Sequence, residues 1–302
     1  MSVRGKISHN SILKGQKMQI RDLAIIEPKY LNLFREYLYK NLGIHIEDSK
    51  LNLLSQKLIK LMGDEGINSL GEYYHFIVSP AISQRQKELK DKFIDTVTIH
   101  KTNFFRENNH FEFIKRSIKE IIETSPSVKF ARELRVWSSA CSTGEEAYTL
   151  AMLLKEILPP DIKPKILATD ISPQSVHKAL AGVYKFGPED NITSYYINKY
   201  FTQSGDQWVI SDEIKKFVTF RLFNLMEPFP FKNPFDIIFC RNVMIYFDRE
   251  VQEKLVNNFY SNLSEEGLLF IGHSESLIQV KHSFSYHEPT IYKKLCNKKT
   301  KT

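Results

Sequence analysis

From about residue 130 onward, short apolar segments alternate with helical ones, and this alternation constrains the fold more than any other feature. The runs LRVWSS, PKILATD, FDIIFCRN, GLLFIGHS and TIYKKL are typical of strands, and the first four are separated by segments with helical apolar spacing. One helix opens on Ser172, with Pro173 at its first position. Strands that alternate with helices predict a mainly parallel sheet covered on both faces. We therefore predict an α/β domain.

The first hundred residues follow a different pattern. Residues 1–19 are polar and aperiodic, which predicts a flexible arm. The pattern from 20 to 98 is helical, and GDEG at 63–66 is predicted to end one of the helices. One face of that helix carries four leucines at helical spacing: Leu51, Leu54, Leu58 and Leu61. We predict an N-terminal all-helical domain over 20–98, the α/β domain over 99–295, and a basic tail over 296–302.

Residues 183–222 interrupt the strand–helix alternation. Two strand-like runs, QWVIS and KKFVTFRLF, lie here, and the first follows the turn SGD. We interpret the segment as a small antiparallel β-subdomain inserted into the α/β domain.

Composition and charge exclude several classes of protein. The chain has 302 residues, 42% hydrophobic and 25% charged, with no apolar stretch of 18 residues and no apolar leader, so we expect neither a membrane span nor a secretory signal. The net charge of +7 comes from the first hundred residues and the last ten, whereas residues 102–292 are slightly acidic, which argues against nucleic acid as a partner. The three cysteines form no metal-binding spacing, so we expect no metal and a reducing, cytoplasmic setting.

The segment WSSACSTGEEAYTLAMLL at 137–154 reads as a strand end, a turn and a helix start. Such a helix start attracts anions, yet two acids, Glu145 and Glu146, follow Gly144 directly. Asp170 ends the next strand, where an acid commonly accepts hydrogen bonds from both hydroxyls of a ribose. A nucleoside with positive charge and no phosphate fits both features. S-adenosylmethionine is such a ligand.

Each of these features also has a plainer interpretation. Asp170 could cap the following helix, although Ser172 already offers a cap. The two glutamates could simply be favourable charges at a helix start. The combination of both features favours the cofactor.

Six segments, taken in order, resemble the successive motifs of the CheR family of chemotaxis receptor glutamate methyltransferases. They are HKTNFFRENNHF, RVWSSACSTGEEAYTLAMLL, ATDIS, FNLMEPFP, FDIIFCRNVMIYFD and GLLFIGHSES, and the resemblance runs from about 21 to 295. It implies a Rossmann-like S-adenosylmethionine-dependent methyltransferase domain with an inserted small antiparallel β-subdomain and an N-terminal all-helical domain. It also implies a cytoplasmic enzyme that methylates glutamate side chains of chemoreceptor helices.

The resemblance assigns roles residue by residue. Around the cofactor it places Thr102 and Arg106 at the methionine part, Glu146 at the amino end, Asp170 at the ribose, Asn224 and Leu225 at the adenine, and Arg241 and Asn242 at the methyl end. His100 stands where relatives often carry asparagine, and both side chains can form hydrogen bonds. Arg106 and Tyr246 are implied to face the incoming glutamate. By residue type alone, Tyr246 would read as a core aromatic residue.

The resemblance also implies how the receptor is met. Receptor methylation helices carry rows of acids, and the family meets them through its helical domain, so we expect the face formed by Lys50, Lys57 and Lys60 to bind them. Some members also bind a receptor tail at the β-subdomain and carry a longer, glycine-richer loop there. Here the corresponding stretch offers only Gly205 and a short turn, so we expect no such tether. We expect a monomer.

Two other functions remain open from the sequence. One is a non-catalytic regulator that binds the cofactor or its product, and damaged cofactor motifs would favour it. The other is a nucleic-acid methyltransferase, for which the chain lacks a proline-and-aromatic base-flipping loop and places its basic charge in the wrong region.

Overall fold

The computed structural model describes residues 27–80 and 83–296. Four helices form the N-terminal unit, and their bounds are Pro28–Leu42 (α1), Leu51–Glu65 (α2), Leu70–Val78 (α3) and Gln84–Val97 (α4). Their apolar faces enclose a small core around Phe34, Leu58, Tyr73 and Phe93. The predicted leucine face of α2 is confirmed, because Leu54, Leu58 and Leu61 are buried there and Leu51 is half-buried. The helix ends within GDEG, as predicted, since its C-cap is Gly66 in the left-handed conformation.

The rest of the described chain forms the α/β unit. Its helices are Asn109–Thr124 (α5), Pro126–Ala131 (α6), Glu145–Ile157 (α7), Pro173–Ala181 (α8), Ser194–Tyr200 (α9), Asp212–Lys215 (α10) and Arg249–Asn262 (α11). Its strands are Glu133–Ser138 (β1), Lys163–Asp170 (β2), Val183–Tyr184 (β3), Phe201–Ser204 (β4), Gln207–Ile210 (β5), Val218–Leu222 (β6), Phe235–Cys240 (β7), Leu263–Ile271 (β8), Ser285–Glu288 (β9) and Ile291–Lys293 (β10).

Seven of these strands build one sheet in the order β6-β2-β1-β7-β8-β10-β9. The strands β6, β2, β1, β7 and β8 run parallel, and β10 pairs antiparallel with both β8 and β9. All six residues of β7 are buried, as expected for a central strand covered on both faces. The strand order reverses between β1 and β7, which is where ligands bind in open α/β sheets. The predicted α/β class, Rossmann-like arrangement and helical N-terminal domain are confirmed.

The antiparallel subdomain is smaller than predicted. Its sheet contains only β3, β5 and β4, all between 183 and 210. The run KKFVTFRLF does not join it, because β6 pairs parallel with β2 at the edge of the main sheet. The sequence interpretation failed here because a strand's own residues do not specify its partner. The chain therefore returns to the main sheet at β6, before the predicted end of the subdomain at residue 222.

Parts of the predicted organisation lie outside the described residues. These are the arm at 1–19, the start of the helical domain up to residue 26, and the basic tail beyond residue 296. Over the described ranges, no helix has the length and apolar character needed to cross a bilayer.

The last turn of α1 fixes the helical unit against the α/β unit. The Asn224 side chain donates a hydrogen bond to the carbonyl of Asn41 over 2.7 Å, and the His45 N–H donates to the carbonyl of Tyr246 over 2.9 Å. The Tyr39 hydroxyl donates to Asp248 over 2.7 Å. These contacts place the end of α1 beside the carboxyl ends of the parallel strands.

Candidate functional site

A pocket that is open to solvent lies at the carboxyl ends of β1, β2, β6 and β7. Its far wall is formed by the helical unit, including Leu42, Ile44 and Val97. All ten site residues predicted from the sequence line it: His100, Thr102, Arg106, Glu146, Asp170, Asn224, Leu225, Arg241, Asn242 and Tyr246.

Close packing, rather than the binding of a phosphate, explains the glycine in the turn after β1. Gly144 has φ +98°, and a Cβ there would lie 2.8 Å from the Cβ of Ala179 and 2.9 Å from the hydroxyl of Tyr184. Only glycine fits this conformation against these neighbours. The two following acids then diverge. Glu145 accepts a hydrogen bond from the Thr143 hydroxyl, whereas Glu146 lines the pocket.

Asp170 joins the turns that follow β1 and β2. Its two carboxylate oxygens accept hydrogen bonds from the backbone N–H of Ser142 over 2.7 Å and of Ser172 over 2.9 Å. The cap of α8 is supplied by Ser172, whose hydroxyl accepts from Ser175 N–H. Asp170 is therefore free of the capping role, and each carboxylate oxygen keeps a lone pair for a ligand. Burial raises the pKa of Asp170, while the two N–H donors lower it.

Arg241 holds two acids at the pocket wall. Its Nη1 lies 3.2 Å from Oε2 of Glu146, and its Nη2 lies 3.0 Å from Oε2 of Glu107. The guanidinium also donates to the carbonyl of Arg106 and lies 5.7 Å from the ring centres of Phe111 and Phe239. Only 2% of the Arg241 side chain is exposed. Arg241 therefore acts as the buried counter-charge of the site.

The two acids beside Arg241 respond differently to their surroundings. Burial raises the pKa of Glu146, and Arg241 and the Ser138 hydroxyl lower it only in part. Burial also raises the pKa of Glu107, but Arg241, Asn242 and the His273 N–H outweigh it and bring the pKa below its usual range. Glu146 is thus the acid whose charge is less compensated by the protein, and it is the one that lines the pocket.

The segment after β7 carries Asn242 and Tyr246. Asn242 has φ +58°, and Met244–Tyr246 form a single 3₁₀ turn. The Glu275 carboxylate binds the start of this segment, because it accepts from the N–H groups of Asn242, Val243 and Met244. Glu275 is therefore the support of the loop that brings Tyr246 to the pocket.

Arg106 and Tyr246 are the two residues predicted to face an acceptor. Arg106 Nη1 donates to the carbonyl of Lys101 over 2.8 Å, which anchors its side chain at the pocket edge. Burial raises the pKa of Tyr246, the charge of Arg106 lowers it in part, and both side chains line the pocket. The Tyr246 hydroxyl stays protonated at neutral pH and can donate a hydrogen bond.

His100 lines the pocket, but its ring is partly committed elsewhere. Its Nε2 lies 2.7 Å from the hydroxyl oxygen of Thr98, which itself donates to the carbonyl of Ile94. The Thr98 oxygen therefore accepts, and the proton lies on Nε2 of His100. The carbonyl of His100 accepts from the Ser142 hydroxyl over 3.1 Å, so the main chain of His100 supports the turn after β1.

Sequence reasoning missed two acids of the site, Glu107 and Glu275. Glu107 pairs with Arg241 and Asn242, and its backbone has φ +56°. Both acids lie within the quoted segments HKTNFFRENNHF and GLLFIGHSES. Their roles depend on long-range contacts, 134 residues apart for Glu107 and Arg241, which no local pattern reveals.

Comparisons with known proteins agree with this architecture. The model of the CheR methyltransferase SAM-binding domain matches residues 100–293, and that of the CheR methyltransferase all-alpha domain matches residues 29–98.

Curated relatives match over most of their length. A chemotaxis protein methyltransferase of Borreliella burgdorferi is 39% identical over 85% of this chain and 90% of its own. A probable chemotaxis protein methyltransferase of Rhizobium etli is 34% identical over 85% and 96%. The chemotaxis protein methyltransferase of Escherichia coli is 30% identical over 91% and 94%. With both family domains matched in order, the chain belongs to the CheR methyltransferase family.

Proposed function

We propose that this protein transfers the methyl group of S-adenosylmethionine to glutamate side chains of chemoreceptor cytoplasmic helices and so forms glutamate methyl esters. The observation that carries the proposal is one pocket lined by two acids, Asp170 and Glu146, and by Arg106 and Tyr246. The relatives named above support the reaction and the chemotaxis setting.

The two acids suit a cationic nucleoside. Asp170 would accept hydrogen bonds from the ribose hydroxyls through the lone pairs that Ser142 and Ser172 leave open. Glu146 would attract the ammonium group of the methionine part, because Arg241 compensates its charge only in part.

The remaining pocket residues would surround the rest of the cofactor. Asn224 and Leu225 would enclose the adenine at the end of β6, and Asn242 and Arg241 would lie at the methyl end. Thr102 and His100 would complete the wall beside the methionine part. S-adenosylmethionine supplies the electrophilic methyl group when bound.

The acceptor needs orientation rather than activation. A glutamate side chain has an ordinary pKa of about 4.3, so it is already ionised at neutral pH and requires no general base. Arg106 would attract the incoming carboxylate, and the Tyr246 hydroxyl would donate a hydrogen bond that aligns one oxygen with the methyl carbon. Alignment and exclusion of water are the main contributions left for the protein.

Receptor binding would use the exposed side of α2. Lys50 and Lys60 are exposed, and Lys57 is half-buried, with its pKa lowered by burial. A partly desolvated lysine flanked by exposed ones suits a row of receptor acids. We propose that this lysine face meets the methylation helices, that the enzyme acts as a monomer, and that it works in the cytoplasm, where its free cysteines stay reduced.

A cofactor-binding regulator without catalysis is the weaker candidate. The relatives are named as methyltransferases, and Arg106 and Tyr246, the residues proposed for catalysis, line the pocket.

The test is transfer of a radiolabelled methyl group from S-adenosylmethionine to receptor cytoplasmic fragments. We expect label on the receptor that mild alkali releases as methanol, because an ester hydrolyses readily. Label that survives alkali would contradict carboxylate methylation, and tight cofactor binding without transfer would favour the regulator.

A further inference from the structure

Glu275 concentrates its hydrogen bonds on one short segment. Its Oε1 accepts from the N–H groups of Val243 over 2.9 Å and Met244 over 2.7 Å, and its Oε2 accepts from Asn242 over 2.9 Å. A fourth N–H, that of Gly272, donates to Oε2 over 2.6 Å and closes the turn on which Glu275 itself lies. Successive N–H groups that converge in this way form a binding site for an anion, and the protein supplies that anion.

The carbonyl groups on the other side of the same turn also accept hydrogen bonds. The Gln252 side chain donates to the carbonyls of Met244 and Phe247 over 2.9 and 3.0 Å, and the His45 N–H donates to that of Tyr246. The carbonyl side of the Met244–Tyr246 turn is thus bound from α11 and from the helical unit. Its N–H side is bound by the Glu275 carboxylate. The side chain of Tyr246 projects from a turn that is fixed on both sides.

A carboxylate suits this position better than an amide. It offers acceptor lone pairs on both oxygens, whereas glutamine would turn an NH₂ group toward N–H groups that also donate. Glu275 is 8% exposed, so water does not readily replace a lost acceptor. The buried acid therefore controls where the turn lies.

We propose that Glu275 is a positioning residue for methyl transfer, which acts through the N–H groups of residues 242–244 to hold the Tyr246 hydroxyl in line with the acceptor. This inference rests on the proposed function. In such a reaction a displacement of about 1 Å can cost about 100-fold in rate. We therefore expect Glu275→Gln to lower kcat about 10-fold to 100-fold while affinity for S-adenosylhomocysteine changes far less.

The control is a second buried acid that also binds backbone N–H and hydroxyl donors, at the far end of β7. Asp236, 3% exposed, lies near the start of β7 and accepts from Ser125, from Ser127 and from the N–H of Arg135. Asp236→Asn makes the same chemical change at the opposite end of the strand that leads to residue 241. We expect both variants to lower the thermal midpoint, but only Glu275→Gln to lower kcat and to speed amide hydrogen exchange in residues 242–246.

A double-mutant cycle with Tyr246→Phe tests whether Glu275 affects kcat through the Tyr246 hydroxyl. If Glu275 acts through the Tyr246 hydroxyl, Glu275→Gln should reduce kcat far less in the Tyr246→Phe background than in the wild type. Equal fold losses in both backgrounds would overturn the inference, as would unchanged exchange in residues 242–246.

A second variant covers the case in which Glu275→Gln does not fold. A Cβ at Gly272 would lie 2.8 Å from the nitrogen of Asn242 and 2.9 Å from Oε2 of Glu275, so Gly272→Ala would separate the same groups without changing a charge. It should show the same dependence on Tyr246, and additive losses here would again overturn the inference. Failure of the proposed function looks different, because the wild type itself would then transfer no methyl group.

Discussion

Arg241 Nη1 lies 3.2 Å from Oε2 of Glu146, and this ion pair is almost completely buried. The same guanidinium pairs with Glu107, so one cation serves two acids. Removing one partner of a buried pair leaves an uncompensated charge, which commonly costs about 3–5 kcal/mol.

The first prediction follows from that arrangement. Arg241→Leu should destabilise the apoprotein by about 3–5 kcal/mol in urea unfolding, because Glu107 and Glu146 would both lose their counter-charge. Adding Glu146→Gln to Arg241→Leu should recover part of the loss. A double variant no more stable than Arg241→Leu would contradict a direct electrostatic link between the two residues.

Asp170 is the residue on which cofactor recognition should depend most. Asp170→Ala removes two hydrogen bonds to a charged acceptor, each worth about 1.5–3 kcal/mol, so calorimetry should show at least about tenfold weaker S-adenosylhomocysteine binding. The same substitution also removes the acceptor of the Ser142 and Ser172 N–H groups. The control is therefore a 2′-deoxy analogue. It should bind the wild type less well than the parent ligand, and the variant should hardly distinguish the two.

Tyr246→Phe should affect turnover more than cofactor binding. The hydroxyl is proposed to contact only the acceptor carboxylate, and a hydrogen bond to a charged group is worth about 1.5–3 kcal/mol. We therefore expect kcat to fall about tenfold to 100-fold, while S-adenosylhomocysteine affinity stays within about twofold. Tyr195→Phe is a matched control, because its exposed hydroxyl bonds Glu156 away from the pocket. A larger change in cofactor affinity than in kcat would make Tyr246 a structural residue.

Charge reversal on α2 should act on receptor binding alone. Lys57→Glu should raise the KM for receptor fragments and leave cofactor affinity unchanged, and the difference from the wild type should shrink as salt rises. Lys163→Glu is the control, since Lys163 is exposed at the start of β2, at the end of the sheet opposite the pocket. Equal KM values for the Lys57 variant and the wild type would exclude this face.

We also predict that activity does not depend on a receptor tail. The turn between β4 and β5 contains only Gly205 and Asp206, and Trp208 packs against Phe186, 5.9 Å between ring centres. The free edges of the small sheet are the two-residue β3 and the four-residue β4, which offer little backbone for strand addition. Receptors with and without their C-terminal tails should be methylated at similar rates. Micromolar binding of a tail peptide in a titration would show otherwise.

Local sequence patterns predicted the elements better than their partners. The end of β1, the acid that ends β2 and the serine cap of α8 each follow from a few neighbouring residues, and all are present. The pattern at Val218–Leu222 indicates a strand, but its assignment to the small sheet is wrong, because its partner residues in β2 lie 52 positions earlier in the chain. Glu107 and Glu275 were missed for the same reason, since an acid becomes a structural anion only when distant donors converge on it.

The hydrogen bonds from Asn224 to Asn41 and from His45 to Tyr246 limit how the receptor preference of such an enzyme can be changed. The helical unit is a natural candidate for exchange between relatives, since it would carry the receptor preference. The stretch around Asn41–His45, however, also holds the residues on either side of the pocket. A chimera joined after residue 98 would replace part of the catalytic frame together with the docking surface. Recombination that keeps residues 39–45 should alter receptor choice and preserve turnover, so this short stretch limits the modularity of the two domains.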